Sequence, residues 1–227
     1  MNVLITGTSS GLGYELAKEC VARGDTVFGI SRSKSDLDIN QEICDFYNLQ
    51  EIPTALNSLI GSNTIDIVIL NAGMLGTLSK TRDVSIDEFG NIFKVNVLAN
   101  KVIVDWLLNN NIKVKTIIGI STGAALKTYY GWSLYCTSKA AFKQLISTYA
   151  QEESNVHFIS IAPGVIKTKM QDYINGIDVK IIPSVEKFQS MYNTMITPDV
   201  IAKKLIQLLP KLKDFKSGSY IDLRDLQ

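Results

Sequence analysis

The chain has 227 residues, 46% of them hydrophobic, with 23 lysines and arginines against 22 aspartates and glutamates and a formal net charge of +1. That is ample core material, and the interspersed charges exclude a basic stripe for nucleic acid and a polybasic helix for a membrane surface. No apolar run reaches about 18 residues, and the N-terminus enters a strand pattern at Val3–Ile5 without a signal peptide, so a cytoplasmic protein that does not span a membrane is expected.

Strands are expected near 2–6, 25–30, 41–45, 65–70, 114–121, 155–161 and 219–222, and helices near 11–23, 52–60, 87–110, 132–151 and 198–212. The alternation continues without linker, repeat or low-complexity stretch, which predicts one α/β domain over residues 1–227, a doubly wound parallel sheet of about seven strands with helices on both faces. Only about ten residues join the second and third strands, the lower limit for a crossover, so the helix between them should shrink to a turn.

The first strand runs into "TGTSSGLG", in which Thr8, Ser9, Ser10 and Leu12 stand among Gly7, Gly11 and Gly13. Glycines there permit positive φ and close backbone approach, and the start of the following helix attracts a pyrophosphate. The second strand ends in "GISRS" with Ser31 and Arg32, the third at Asp45 and Phe46, and the fourth at Asn71, Ala72 and Gly73. Asn96 lies inside the helix expected at 87–110, and Ser121 and Thr122 follow the fifth strand. In "YCTSK", Tyr135 and Lys139 project from one helix face about a turn apart, a proton donor beside a cation that favours its phenolate. Pro163–Gly164 closes the sixth strand. In open sheets of this kind ligands sit beyond the carboxyl ends of the strands, where all these loops gather. Cys20, Cys44 and Cys136 are odd in number and unpatterned, and the single histidine, His157, lies in "VHFISI", so neither a disulfide framework nor a metal site is expected.

Together, TGxxxGxG, NAG, the in-helix asparagine, YxxxK and PG resemble the short-chain dehydrogenase/reductases over nearly the whole chain. The resemblance implies a Rossmann-type domain binding a nicotinamide dinucleotide through Gly7–Gly13, Asp45, Phe46, Asn71–Gly73 and the loop of Pro163, Gly164, Val165 and Thr168. Tyr135 then exchanges a proton with the substrate oxygen, Lys139 holds the nicotinamide ribose and lowers the tyrosine pKa, and Asn96 binds a water linking the lysine to solvent. The family's carbonyl-binding serine falls on Thr122, with Ser121 beside it as the alternative. Family members that use NAD place an acidic residue where this chain has Ser31 and Arg32, which suit the phosphate of NADP(H).

"ISTGAALKTYYGWSLYCTSKAA" and "SGSYIDLRD" are most similar to the branch of sepiapterin and benzil reductases, which implies a small-molecule ketone or vicinal dicarbonyl substrate. Trp132 and Met170 would line its pocket, residues 169–196 would form a lid, and Asp222 would meet donor groups on a pterin-like ring. The alternative is that Asp222 ends its strand and bonds its own loop. The apolar surplus on the long helices, including Phe93, Val97, Trp106, Phe142, Leu145 and Tyr149, suits a homodimer or homotetramer. The competing class is a non-catalytic NADP(H) sensor with a degenerate carbonyl anchor.

Overall fold

The computed structural model describes residues 1–226. Its seven strands are β1 (Asn2–Thr6), β2 (Thr26–Ser31), β3 (Asn40–Ile43), β4 (Ile67–Leu70), β5 (Thr116–Ile120), β6 (His157–Ala162) and β7 (Tyr220–Asp222). They pair in parallel in the order β3-β2-β1-β4-β5-β6-β7. The order reverses between β1 and β4, so the crevice of a doubly wound sheet opens where the glycine loop and the Asn71–Gly73 loop leave their strands.

Both sheet faces are covered, which is why the strands read as unbroken apolar runs rather than alternating ones. On one face Leu4, Phe28, Val68 and Ile117 pack with Leu56 of α2 (Ile52–Ile60), Ile103 of α4 (Ala99–Asn109) and Phe142 of α5 (Ser133–Glu152). On the other, Val3, Ile5, Ile69 and Ile118 pack with Leu16 of α1 (Gly11–Ala22) and Leu205 of α8 (Pro198–Leu208). No helix among the described residues is long and apolar enough to cross a membrane.

The helix expected at 87–110 is divided. α3 (Ile86–Phe93) passes through a π-turn at Lys94–Leu98 before α4, with the Ala99 N–H reaching back five residues to the Lys94 carbonyl. No helix forms between β2 and β3, as the short spacing predicts; Ser35 is tied to Gln41 through its N–H and its carbonyl at 2.8 and 3.1 Å. Residues 169–196, for which only a lid was expected, carry α6 (Lys169–Asn175) and α7 (Glu186–Ser190) above a third apolar cluster. The apolar surplus on the long helices is smaller than expected, because Val97, Phe142 and Tyr149 are buried within the chain's own core. Phe93, Trp106 and Leu145 remain half-buried. His157 is a strand residue expected to be satisfied but only half so: its Nε2 lies 3.0 Å from the Phe215 carbonyl while the buried Nδ1 has no partner, and no cluster of possible metal ligands occurs among the described residues.

Candidate active site

The turn after β1 is shaped by what glycine omits. Gly7 (φ +78°) and Gly11 (φ +60°) hold left-handed backbone that a side chain would strain. Gly13 is constrained by space: a Cβ there would stand 2.2 Å from the Gly7 carbonyl oxygen. α1 therefore starts hard against the turn with unpaired N–H groups, and the exposed Ser10 hydroxyl makes no bond back to the helix. Thr8 and Leu12 are buried, so they can meet a ligand only through backbone, while Ser9 is half-buried.

Sequence reasoning passed over Thr6, which locks two loops together. Its hydroxyl accepts the N–H groups of Asn71 and Ala72, both at 2.9 Å, and its carbonyl accepts Asn71 Nδ2 at 3.0 Å. The signal was available: Thr6 is the threonine of TGxxxGxG.

At the end of β2, Ser31 faces inward. Its hydroxyl donates to the Ser33 carbonyl at 2.8 Å and lies 3.4 Å from Thr8 Oγ1, so it does not point at a ligand as expected. Arg32 and Lys34 are exposed, and neither takes part in an ion pair among the described residues. Asp45 accepts the Tyr47 N–H at 3.1 Å, and the Phe46 side chain belongs to the core, leaving only its backbone for a ligand.

α5 brings the proton-active pair to the crevice. Lys139 is 4% exposed, its Nζ donating to the Ile120 carbonyl at 3.0 Å and standing 6.0 Å from the centre of the Tyr135 ring. Burial pulls the lysine pKa down to about 8. It pushes Tyr135 up to about 12, against the lowering effect of a hydrogen bond with the Thr122 hydroxyl. Lys139, the cation expected to lower the tyrosine, is not among the groups that shift it here, and loss of solvent around the phenolate dominates. Of the two hydroxyls after β5, Thr122 is the one beside the phenol. Ser121 Oγ is buried without a hydrogen-bond partner.

Asn96 sits fully buried in the π-turn and staples three segments. Its Oδ1 accepts Met74 N–H at 2.8 Å, and its Nδ2 donates to the Met74 carbonyl and to Ser138 Oγ, both at 2.9 Å. Ser138 donates on to the Tyr135 carbonyl at 3.1 Å. Asn100 Nδ2 meets the Asn96 carbonyl at 2.9 Å, so both main chain and side chain of Asn96 have protein partners. Gly73 makes the closeness possible: a Cβ there would lie 3.2 Å from both Asn96 Oδ1 and Lys139 Nζ.

Above Tyr135 lies an aromatic wall. Trp132 is 4.9 Å from Phe188, 5.4 Å from Tyr129 and 6.2 Å from Tyr135 between ring centres, and its Nε1 donates to Ser184 at 2.9 Å. Met170 and Val165 pack on the same cluster. Gly164 (φ +88°) follows the buried Pro163, and the Thr168 methyl stands 3.7 Å from where a Cβ of Gly11 would be, so the loop after β6 meets the glycine turn. Asp222, at the end of β7, is bonded to Arg224, a residue sequence reasoning did not single out.

Residues 1–176 match the family model for short chain dehydrogenases. The chain is 32% identical to a benzil reductase ((S)-benzoin forming) of Bacillus subtilis, covering 98% of each chain. It is 28% identical to the sepiapterin reductase of Rattus norvegicus over 98% of this chain and 96% of that one. Among solved structures it is similar to the KRED1-Pglu enzyme, with a TM-score of 0.88, 25% identity, and coverage of 97% of this chain and 99% of the other.

Proposed function

The chain belongs to the short chain dehydrogenase family, whose fold implies a nicotinamide cofactor, and from that premise we propose that it is an NADPH-dependent reductase of ketones or vicinal dicarbonyl compounds. The observation that carries this reading is the convergence of Tyr135 and Lys139, 6.0 Å apart from ring centre to Nζ, beside the Thr122 hydroxyl at the carboxyl end of β5. A sensor of cofactor has no need of a hydroxyl pair behind an aromatic wall.

The residues present fit the dinucleotide. The cradle at Gly7, Gly11 and Gly13 admits backbone approach, the uncapped Ser10 and the start of α1 face the pyrophosphate position, and Arg32, with Lys34, offers cations for a ribose phosphate. Asp45 and the Phe46 backbone would meet the adenine, Asn71–Gly73 and Lys139 the nicotinamide ribose, and Pro163, Gly164, Val165 and Thr168 the carboxamide. When bound, the cofactor supplies the hydride. Tyr135, protonated up to a pKa of about 12, holds the proton for the substrate oxygen, and Thr122 polarises that oxygen by hydrogen bonding. Asn96 keeps the Met74 backbone and α5 in place around Lys139. Trp132 and Met170 receive the apolar part of the substrate beneath residues 169–196, and Asp222 borders the crevice.

The test is NADPH oxidation followed by absorbance against a panel of diketones, quinones and pterins, with Tyr135→Phe as control. Turnover is expected with dicarbonyls, and Tyr135→Phe should retain NADPH binding while losing at least about 100-fold in kcat, roughly 2.7 kcal/mol. Tight NADPH binding without turnover on any carbonyl would favour the sensor instead.

A further inference from the structure

We propose that Arg224 determines which carbonyl compounds this site accepts: by occupying the Asp222 carboxylate it turns away ligands that dock through an edge of paired N–H donors, and leaves the site to neutral ketones and diketones that carry none. The proposal rests on the carbonyl-reductase reading above and names its substrate class.

Asp222 is the last residue of β7, in register with Ala162, whose strand continues into Pro163–Gly164. Both oxygens of its carboxylate accept from Arg224. Oδ1 accepts the Arg224 main-chain N–H at 3.0 Å and Nε at 2.8 Å, and Oδ2 accepts a terminal guanidinium nitrogen at 2.5 Å. Two parallel charge-assisted bonds of this kind form the strongest common pairing a carboxylate makes. The Asp222 side chain is 11% exposed and that of Arg224 58%, so the acid lies behind the guanidinium. The pair also holds Asp222 below the usual carboxylate range.

Arg224 keeps an exposed guanidinium but lays its stem on the loop after β6. Its Cδ would stand 3.3 Å from a Cβ at Gly164, and a guanidinium nitrogen 4.0 Å from one at Gly123, the residue after Thr122. Gly164, with φ +88°, is the position where a side chain would crowd the Arg224 stem; at Gly123 a Cβ would make no more than ordinary contact. The guanidinium therefore reaches toward the turn that follows Thr122.

Its fork of N–H groups has the same donor geometry as the edge of a cyclic guanidine. Such a ligand and Arg224 compete for the same two oxygens, and the ligand must first displace an intramolecular bidentate pair. A diketone without N–H donors makes no demand on Asp222 and meets the aromatic wall of Trp132, Tyr129 and Phe188 directly.

The test compares two ketones, sepiapterin, which carries a cyclic guanidine edge, and 1-phenyl-1,2-propanedione, which carries none. Arg224→Met keeps the aliphatic stem against Gly164 and removes the donors. It should raise kcat/KM for sepiapterin by about tenfold or more and leave the diketone within about threefold, and adding Asp222→Asn should cancel the gain. An unchanged ratio of the two substrates in Arg224→Met, or a native preference for sepiapterin that the single Asp222→Asn change abolishes, overturns the proposal. Calorimetric binding of sepiapterin in the presence of NADPH separates the two readings. If no carbonyl is turned over by any variant, the reductase reading fails; selectivity is then read from binding, where tighter binding by Arg224→Met upholds the role of Arg224 and equal binding rejects it. Thermal melts of the variants matching the native protein verify that the fold is intact.

Discussion

Lys139 carries a stability cost that can be measured apart from catalysis. Its pKa falls from 10.5 to about 8 on burial, so the charged form is disfavoured in the fold. Below about pH 8 the lysine is protonated in both states and the penalty is complete; between about 8 and 10.5 the folded chain has already released the proton, and the penalty fades as pH rises. Lys139→Met should therefore show a pH-dependent gain in stability on the order of 3 kcal/mol at pH 7 relative to pH above 10.5, where only the pH-independent difference in packing and in the Ile120 bond remains. Urea unfolding of both proteins across that range checks it, and a constant difference would refute it. At the cofactor end, the inward turn of Ser31 leaves discrimination to the exposed cations. Arg32→Asp should shift the ratio of NADPH to NADH dissociation constants toward NADH by about tenfold or more, since it replaces a phosphate partner with a repelling charge. Tyr135, Lys139 and Thr122 were legible as residues, because their identity and spacing state their chemistry. The direction of the tyrosine shift was not, because it depends on how much water the aromatic wall removes.

The elements divide into those that tolerate change and those that do not. Gly13 and Gly90 both lie within helices, yet a Cβ at Gly13 meets backbone at 2.2 Å while one at Gly90 meets nothing within 4 Å. Gly90→Ala should stabilise by roughly 0.5–1 kcal/mol, since only unfolded-state freedom is lost. Gly13→Ala should cost about 3 kcal/mol or more and abolish dinucleotide binding, because α1 can no longer seat on the turn. Denaturant melts of the two variants settle the contrast, and equal effects would contradict it. The π-turn shows the limit of periodicity as a guide. The apolar pattern over 87–110 is compatible with one continuous helix, and an extra residue in one turn leaves the helix direction largely intact. What demands the extra residue is Asn96, whose side chain must reach Met74 and Ser138 at once.

For the molecule as a whole, the half-buried Phe93, Trp106 and Leu145 and the 39% exposed Leu98 lie on the π-turn and the helices α3, α4 and α5. We expect these helices to pair with their symmetry mates in a homodimer, with light scattering at micromolar concentration returning twice the 25.1 kDa chain mass. Trp106→Arg should lower that mass toward one chain; a native monomer would remove the basis for the assembly. The strip offered for pairing is narrower than the sequence suggests, since a helix wheel cannot tell a residue buried by its own sheet from one buried by a second copy.

The sequence by itself determined the order of the seven strands and of the long helices between them, the glycine turn, the missing β2–β3 helix and the spacing of Tyr135 and Lys139, because hydrophobic period and backbone sterics act over a few neighbouring residues; it did not determine α6, α7 or the division at Lys94–Leu98. Only the tertiary structure decided which side chains are free to act. Thr6 clamps Asn71 across 65 residues, Asn96 reaches Ser138 across 42, and Arg224 covers Asp222 while its stem lies on Gly164. Hydrogen-bond partners and desolvation arise where distant segments meet, and no local pattern encodes which of two polar residues turns inward when they do.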